Sequence, residues 1–132
     1  MSTIFTKIIN HEIPAQFVYE DDVCVVIMDK FPALKGQMLV VPKVEIDYAF
    51  DLPDEVYTHL LSVAKKVARA ADKAFDTFRT CLVIEGFEVP HAHIKIFPMD
   101  KKYVLGELIA VKHDPVEDEE LQKLATTIKA AM

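Results

Sequence analysis

One segment of the chain, Pro90–Pro98, constrains the fold most, because polar and apolar residues alternate strictly along it. Successive side chains of a β-strand point to opposite faces of the sheet. We therefore predict a strand over Val89 to Phe97 that carries His91, His93 and Lys95 on one face. The apolar residues of the other face would be buried in a core, and these are Ala92, Ile94 and Ile96. A face with two imidazoles and an ammonium favours a phosphate ligand over a metal ion, because the ammonium repels cations. The alternative is an ordinary half-exposed strand whose polar side chains face water.

Length and composition indicate a single globular domain over residues 1–132. The chain has a mass of 15.0 kDa, and 52% of its residues are hydrophobic, which argues against disorder. We expect the core over about residues 3–110 and a C-terminal helix over about 115–131. The formal charge of −6 argues against nucleic acid as a partner, whereas a local cluster of positive charge can still bind a small phosphorylated ligand.

The N-terminal residues contain no basic stretch followed by a long apolar run. We therefore expect no signal peptide, no membrane-spanning segment and a cytoplasmic location. Cys24 and Cys81 lie far apart in the sequence and form no C-x-x-C motif, so free thiols in a reducing compartment are the simplest interpretation.

The remaining patterns predict an α+β fold with a five-stranded, mainly antiparallel sheet. Its elements, in chain order, are a short helix near Ile4–Ile9, a hairpin of strands over 17–20 and 23–28, a strand over 38–41, a long helix after residue 51, strands over 80–84 and 89–97, and a C-terminal helix that starts at Asp114-Pro115. We expect Asp51 to cap the long helix. Its apolar stripe would be Val56, Leu60, Val63, Val67, Ala70 and Ala74. The C-terminal helix would have an apolar stripe of Leu121, Leu124, Ala125 and Ile128.

Several common chemistries lack their sequence signals. With only three glycines, the chain contains neither a P-loop nor a dinucleotide-binding G-x-G-x-x-G, and it contains no G-x-S-x-G. Neither cysteine has a histidine nearby in sequence, which gives a cysteine nucleophile no support. A metal site would need ligands besides His91 and His93, and we predict none; His59 and His113 are expected to be solvated surface residues.

The segment Gly86–Pro98 resembles the signature of the histidine triad (HIT) family, H-φ-H-φ-H-φ-φ with φ apolar. The resemblance extends over about residues 3–110. It includes the segments Ile4–Ile9 with Glu12–Ala15, Tyr19–Asp22, Met28-Asp29 and Gly36–Lys43.

This resemblance implies a homodimer in which each subunit binds a purine nucleotide or nucleotide conjugate, with no cofactor. It implies hydrolysis or transfer at the α-phosphate of nucleoside phosphoramidates, dinucleoside polyphosphates or related conjugates. By position, His93 would be the nucleophile that forms a nucleotidyl-histidine, and His91 would orient it through its backbone carbonyl. Asp29 would bind the ribose hydroxyls. The residues at the base-binding positions are Phe5, Ile8, Ile27 and Val89.

The chain departs from the family pattern at several of these positions. Lys95 replaces the third histidine, and an ammonium is a poor proton shuttle at neutral pH because it holds its proton. Glu45 replaces another histidine, and we predict that it forms an ion pair with Lys95. The positions of a zinc-binding Cys-x-x-Cys carry Thr3 and Thr6, so no structural zinc is expected. Gln37 stands where the family often has a further histidine, and the departures at Ile84 and Phe87-Glu88 remove polar contacts near the phosphates.

Two functions remain open at this point. Retention of His91, His93 and Asp29 favours an enzyme with altered leaving-group assistance. Loss of the third histidine favours a nucleotide-binding or regulatory protein with little turnover.

Overall fold

The computed structural model describes residues 2–132 and has the predicted α+β architecture. All neighbouring strands of its five-stranded sheet are antiparallel, in the order β1-β2-β3-β5-β4. The elements are α1 (Ile4–Ile9), β1 (Phe17–Glu20), β2 (Cys24–Met28), β3 (Met38–Pro42), a 3₁₀ turn (Ala49–Asp51), α2 (Asp54–Phe75), β4 (Arg79–Val83), β5 (Ile94–Met99), α3 (Leu105–Ile109) and α4 (Asp118–Ala130).

The sheet has an apolar layer on each face, which explains why every residue of β2 and β3 is buried. On one face, α2 and α4 pack on alternate residues of the central strands, such as Val26, Val40 and Ile96. On the other face, Phe5 and Ile8 of α1 pack on the intervening residues of β2 and β3. The two faces therefore differ in cover, with two longer helices on one and the six-residue α1 on the other.

The predicted apolar stripe of α2 largely lies against the sheet. Its buried residues are Leu60, Val63, Ala64, Val67, Ala70 and Ala71, whereas Val56 and Ala74 near the two ends are only partly buried. The predicted cap is wrong: Asp51 lies in the 3₁₀ turn, and Pro53 is the N-cap. The helix instead places Asp54 and Glu55 in its first turn, where carboxylates suit the positive end of the helix dipole.

The expected strand over residues 89–97 begins late, at Ile94. Pro90 has no N–H to donate to a sheet, and the backbone N–H groups of His91 and Ala92 bond to the carbonyls of Val89 and Ile46 instead. The alternation still buries Ala92, Ile94 and Ile96, which are at most 3% exposed, so this part of the prediction is confirmed.

The C-terminal region also differs from the prediction. Helix α4 begins at Asp118 rather than at Asp114-Pro115, and the short α3 was not predicted. The predicted stripe of α4 is confirmed, because Leu121, Leu124, Ala125 and Ile128 are all buried. Within residues 2–132, the helices are too short or too polar to cross a membrane.

Candidate active site

The two histidines of the predicted motif lie in the irregular segment that leads into β5, under the aromatic ring of Phe5. The ring centroid of Phe5 is 4.9 Å from that of His93 and 5.7 Å from that of His91, both edge to face. His93 is 6% exposed, whereas His91 is completely buried. The prediction of one polar strand face shared by His91, His93 and Lys95 is therefore wrong for His91, which lies beneath the surface and supports its neighbour.

Hydrogen bonds determine which ring nitrogen of His93 carries the proton. Its Nδ1 lies 2.8 Å from the carbonyl oxygen of His91, which can only accept, so Nδ1–H is the donor. In the neutral ring, the lone pair is then on Nε2. No group within residues 2–132 forms a hydrogen bond with Nε2. Since every fully buried side-chain nitrogen or oxygen in these residues has a hydrogen-bond partner, Nε2 is not fully buried. Nε2 therefore keeps some access to solvent and can act as a nucleophile or hydrogen-bond acceptor.

The surroundings of His93 favour the neutral ring. Burial is the largest effect and lowers the pKa of His93 below its usual value. The hydrogen bond to the His91 carbonyl opposes this effect, and the positive charge of Lys95 lowers the pKa further. His93 is therefore unprotonated at neutral pH, which is the state that nucleophilic attack requires.

Lys95 is paired, but not with the residue predicted for it. Its Nζ lies 2.5 Å from Oε1 of Glu85, and the two side chains are 17% and 25% exposed. The predicted Glu45–Lys95 ion pair is wrong, because Glu45 accepts hydrogen bonds from Thr3 and Thr6 instead. The antiparallel register explains the observed pair: Val83 of β4 is opposite Lys95, so Glu85, two residues further on, can reach it.

An apolar cluster continues from this position toward β2. Phe5, Ile8 and Ile27 are each at most 7% exposed and share one cluster on the α1 face, with Val89 packed against it. All four predicted base-binding residues therefore lie together, and Phe5 among them contacts the ring of His93. The arrangement places an apolar cluster beside the His93 imidazole.

Comparison with known proteins agrees with this geometry. Residues 10–102 match the HIT domain. An uncharacterized HIT-like protein of Methanocaldococcus jannaschii is 34% identical over 130 residues, which is 96% of this chain and 98% of that protein.

The chain belongs to the HIT family. A crystal structure of a HIT-like protein involved in cell-cycle regulation from Bartonella henselae, with an unknown ligand, superposes with a TM-score of 0.89 at 29% identity, covering 99% of this chain and 96% of that one. The adenylylsulfatase HINT3 of Arabidopsis thaliana is 26% identical over 132 residues, 96% of this chain and 67% of that protein.

In this HIT protein, Asp29 lies in the loop after β2 with both carboxylate oxygens engaged. Oδ1 accepts the backbone N–H of Phe31 at 2.9 Å, and Oδ2 accepts from Nε2 of Gln37 at 2.8 Å. Gln37 is 4% exposed, and its Oε1 also accepts the N–H of Ala33. The buried amide therefore fixes both the carboxylate and the 30–36 loop. This role of Gln37 was missed from the sequence, where it was interpreted only as a lost histidine.

Away from the motif, Asp21, Cys24 and His59 form the one group of three metal-ligand side chains found in residues 2–132. The carboxylate of Asp21 is already engaged: Oδ1 accepts two backbone N–H groups, and Oδ2 accepts from Tyr19 and His59. Burial raises the pKa of the Cys24 thiol to about 12. We interpret the group as a structural link between the β1–β2 turn and α2. His59 is therefore not the simple surface residue that was predicted.

Proposed function

We propose that this chain is a nucleotide hydrolase or nucleotidyl transferase of the HIT type. It would act at the α-phosphate of nucleoside phosphoramidates, dinucleoside polyphosphates or related conjugates. The main support is the hydrogen bond from His93 Nδ1 to the His91 carbonyl, because it leaves the Nε2 lone pair free in a ring that stays neutral. The similarity to an adenylylsulfatase, an activity on an adenylyl conjugate, points in the same direction.

The proposed reaction has two displacements at phosphorus. The Nε2 lone pair of His93 forms a P–N bond while the bond to the leaving group breaks, and that group takes a proton from solvent. Water then attacks phosphorus, the P–N bond breaks, and His93 recovers its lone pair as the proton of the water is released. An acceptor other than water would make the second step a transfer.

The binding contacts follow from the placement of the other residues. The base would pack on Phe5, Ile8, Ile27 and Val89, and the ribose hydroxyls would donate to the outward lone pairs of Asp29. Since a purine presents a larger apolar surface than a pyrimidine, we expect the purine preference that the family resemblance implies.

We also propose that the working form is a homodimer in the cytoplasm. Strand β4 is at one edge of the sheet, and the exposed apolar residues on it and after it are Leu82, Ile84 and Phe87, the last 91% exposed. A two-fold contact would cover these residues and the free edge together. The two free cysteines fit a reducing compartment.

A second function is supported by one specific contact. Lys95 is already paired with Glu85, so the residue at the third-histidine position is not free to assist a leaving group. This favours a nucleotide-binding or regulatory protein with little turnover, built on the same base and ribose contacts.

Intact-protein mass spectrometry after rapid mixing with adenosine 5′-phosphoramidate tests the proposal. We expect the mass to increase by one adenylyl group, with the group located on His93 by peptide mapping. His93→Ala should abolish adduct and hydrolysis while nucleotide binding weakens only modestly. His11→Asn is the matched control, since His11 is exposed with φ 61° and Asn tolerates that conformation. Nucleotide binding without adduct or hydrolysis would establish the second function instead.

A further inference from the structure

A continuous set of hydrogen bonds lies directly beneath the proposed nucleophile. It connects Glu45, in the loop after β3, to Thr6 and Thr3 at the start of α1, and then to His91. Oε1 of Glu45 accepts from the Thr3 backbone N–H at 2.8 Å and from the Thr6 hydroxyl at 2.6 Å. The hydroxyl oxygen of Thr3 lies 2.8 Å from Nδ1 of His91, whose Nε2 lies 2.8 Å from the carbonyl oxygen of Pro42.

The direction of each proton in this set follows from its two ends, which can only accept. The carbonyl of Pro42 requires that Nε2 of His91 carry a hydrogen, so Nδ1 is an acceptor in the tautomer that has this single ring proton. The Thr3 hydroxyl must then donate to Nδ1, and its oxygen accepts the Thr6 backbone N–H at 3.2 Å as the N-cap of α1. At the other end, hydrogen bonds from Thr6 and Thr3 lower the pKa of Glu45 and keep it a carboxylate.

This arrangement fixes the one group that orients His93. The ring of His91 is completely buried and held at both nitrogens, and its own backbone carbonyl accepts Nδ1–H of His93. The next residue is held as well, because the N–H of Ala92 donates to the carbonyl of Ile46, adjacent to Glu45. A shift of the His91 peptide would move the acceptor that selects the His93 tautomer, and the hydrogen bonds at both ring nitrogens restrain His91 against such a shift.

We propose that Thr3 is a positioning residue for the nucleophile, acting through His91, and that Glu45 and Thr6 hold Thr3 in place. The inference rests on the proposed function for its catalytic consequence. Thr3 caps helix α1, and Phe5 lies on that helix. Helix α1 therefore connects the proposed base-binding residues to the orientation of His93.

Three substitutions at Thr3 separate positioning from helix capping. Thr3→Ser keeps both the cap and the hydroxyl donor. Thr3→Asp keeps a capping oxygen but has no proton to donate to Nδ1 of His91, and Thr3→Val has neither. We expect Ser to behave as the wild type, whereas Asp and Val both lower kcat by about tenfold, the rate equivalent of one lost hydrogen bond, with KM changed less than about twofold.

Nitrogen-15 NMR of the histidine side chains reports the tautomer directly and needs no substrate. In the Asp and Val variants, the Nδ1 and Nε2 signals of His93 should move toward each other as the single tautomer is lost. The inference is overturned if the Asp variant shifts only the His91 signals and keeps both kcat and the His93 signals. If the wild type has no turnover but the His93 signals respond as described, the proposed activity fails and the positioning role stands.

Glu45→Ala provides an independent variant that leaves the Thr3 side chain intact, and Asp47→Ala, an exposed acid in the same loop, is its matched control. A change of the His93 signals in the first but not in the second supports the inference. If Glu45→Ala and Asp47→Ala have the same effect on the His93 signals, Glu45 has no part in positioning His93.

Discussion

Replacing Glu85 with Gln should strengthen the binding of nucleotide phosphates. In the present structure, Lys95 donates to Glu85 at 2.5 Å, and the negative charge of this carboxylate offsets the attraction of the ammonium for a phosphate. The glutamine keeps a hydrogen-bond acceptor of the same size but removes the competing charge. With side chains 17% and 25% exposed, the pair lies between the exposed and the buried class of ion pair. We therefore assign the competition about 1 to 2 kcal/mol, which corresponds to roughly five- to thirtyfold tighter binding.

Isothermal titration with adenosine monophosphate measures this effect. Glu88→Gln is the matched control, because Glu88 is exposed in the same loop and its replacement changes the net charge equally. The increase in affinity for adenosine monophosphate should disappear in the double variant Glu85→Gln/Lys95→Met. Equal affinities for the Glu85 and Glu88 variants, or a gain that survives the loss of Lys95, would refute the competition between Glu85 and phosphate.

Three further predictions concern stability, assembly and pH. Burial alone would raise the pKa of Asp21, but hydrogen bonds, the strongest effect being that of His59, hold this pKa well below the usual range. Asp21 therefore stabilises the fold above about pH 4, and this contribution is lost as the pH falls further. Asp21→Asn should lower the free energy of unfolding, measured with urea at pH 7, by about 2 kcal/mol. Leu82→Lys should convert a dimer to a monomer in sedimentation experiments at micromolar concentration, and a monomeric wild type would contradict the edge contact. Since the pKa of His93 is lowered, hydrolysis should persist below pH 6.5 and fall only at more acidic pH; an acid limb at or above about 6.5 would show that the ring is not desolvated as described.

Local sequence patterns predicted most of the fold because the elements that carry the core have regular periodicity. The stripe of α4 and the burial of Ile94 and Ile96 both follow from spacing alone. The start of β5 could not be predicted in this way, because it depends on the hydrogen bond from Ala92 to Ile46, a residue distant in sequence. Helix α3 carries Leu105, Leu108 and Ile109 at helical spacing, but five residues are too few for this pattern to distinguish a helix from a loop.

The candidate site was predicted as a set of residues but not as a set of contacts. Family resemblance led to His93, Phe5 and Asp29, which the structure brings to one face of the sheet, although their roles stay predictions. The partner of Lys95 was wrong because the prediction relied on family positions, whereas the pair depends on the β4–β5 register. A register argument from the sequence could have found Glu85, had the end of β4 been known.

The charges around His93 explain why the ion pair of Lys95 decides between the two functions. Lys95 lowers the pKa of His93 and so favours the nucleophilic form, but the carboxylate of Glu85 offsets the attraction of the same ammonium for phosphate. A substrate with several negative phosphate charges competes with Glu85 for Lys95 more effectively than a neutral or singly charged one, since the attraction to Lys95 grows with ligand charge. Glu85 therefore acts as an intrinsic competitor for the phosphate position. If the Glu85→Gln variant gains affinity without gaining turnover, the chain binds nucleotides; if both increase together, the pair limits an enzyme.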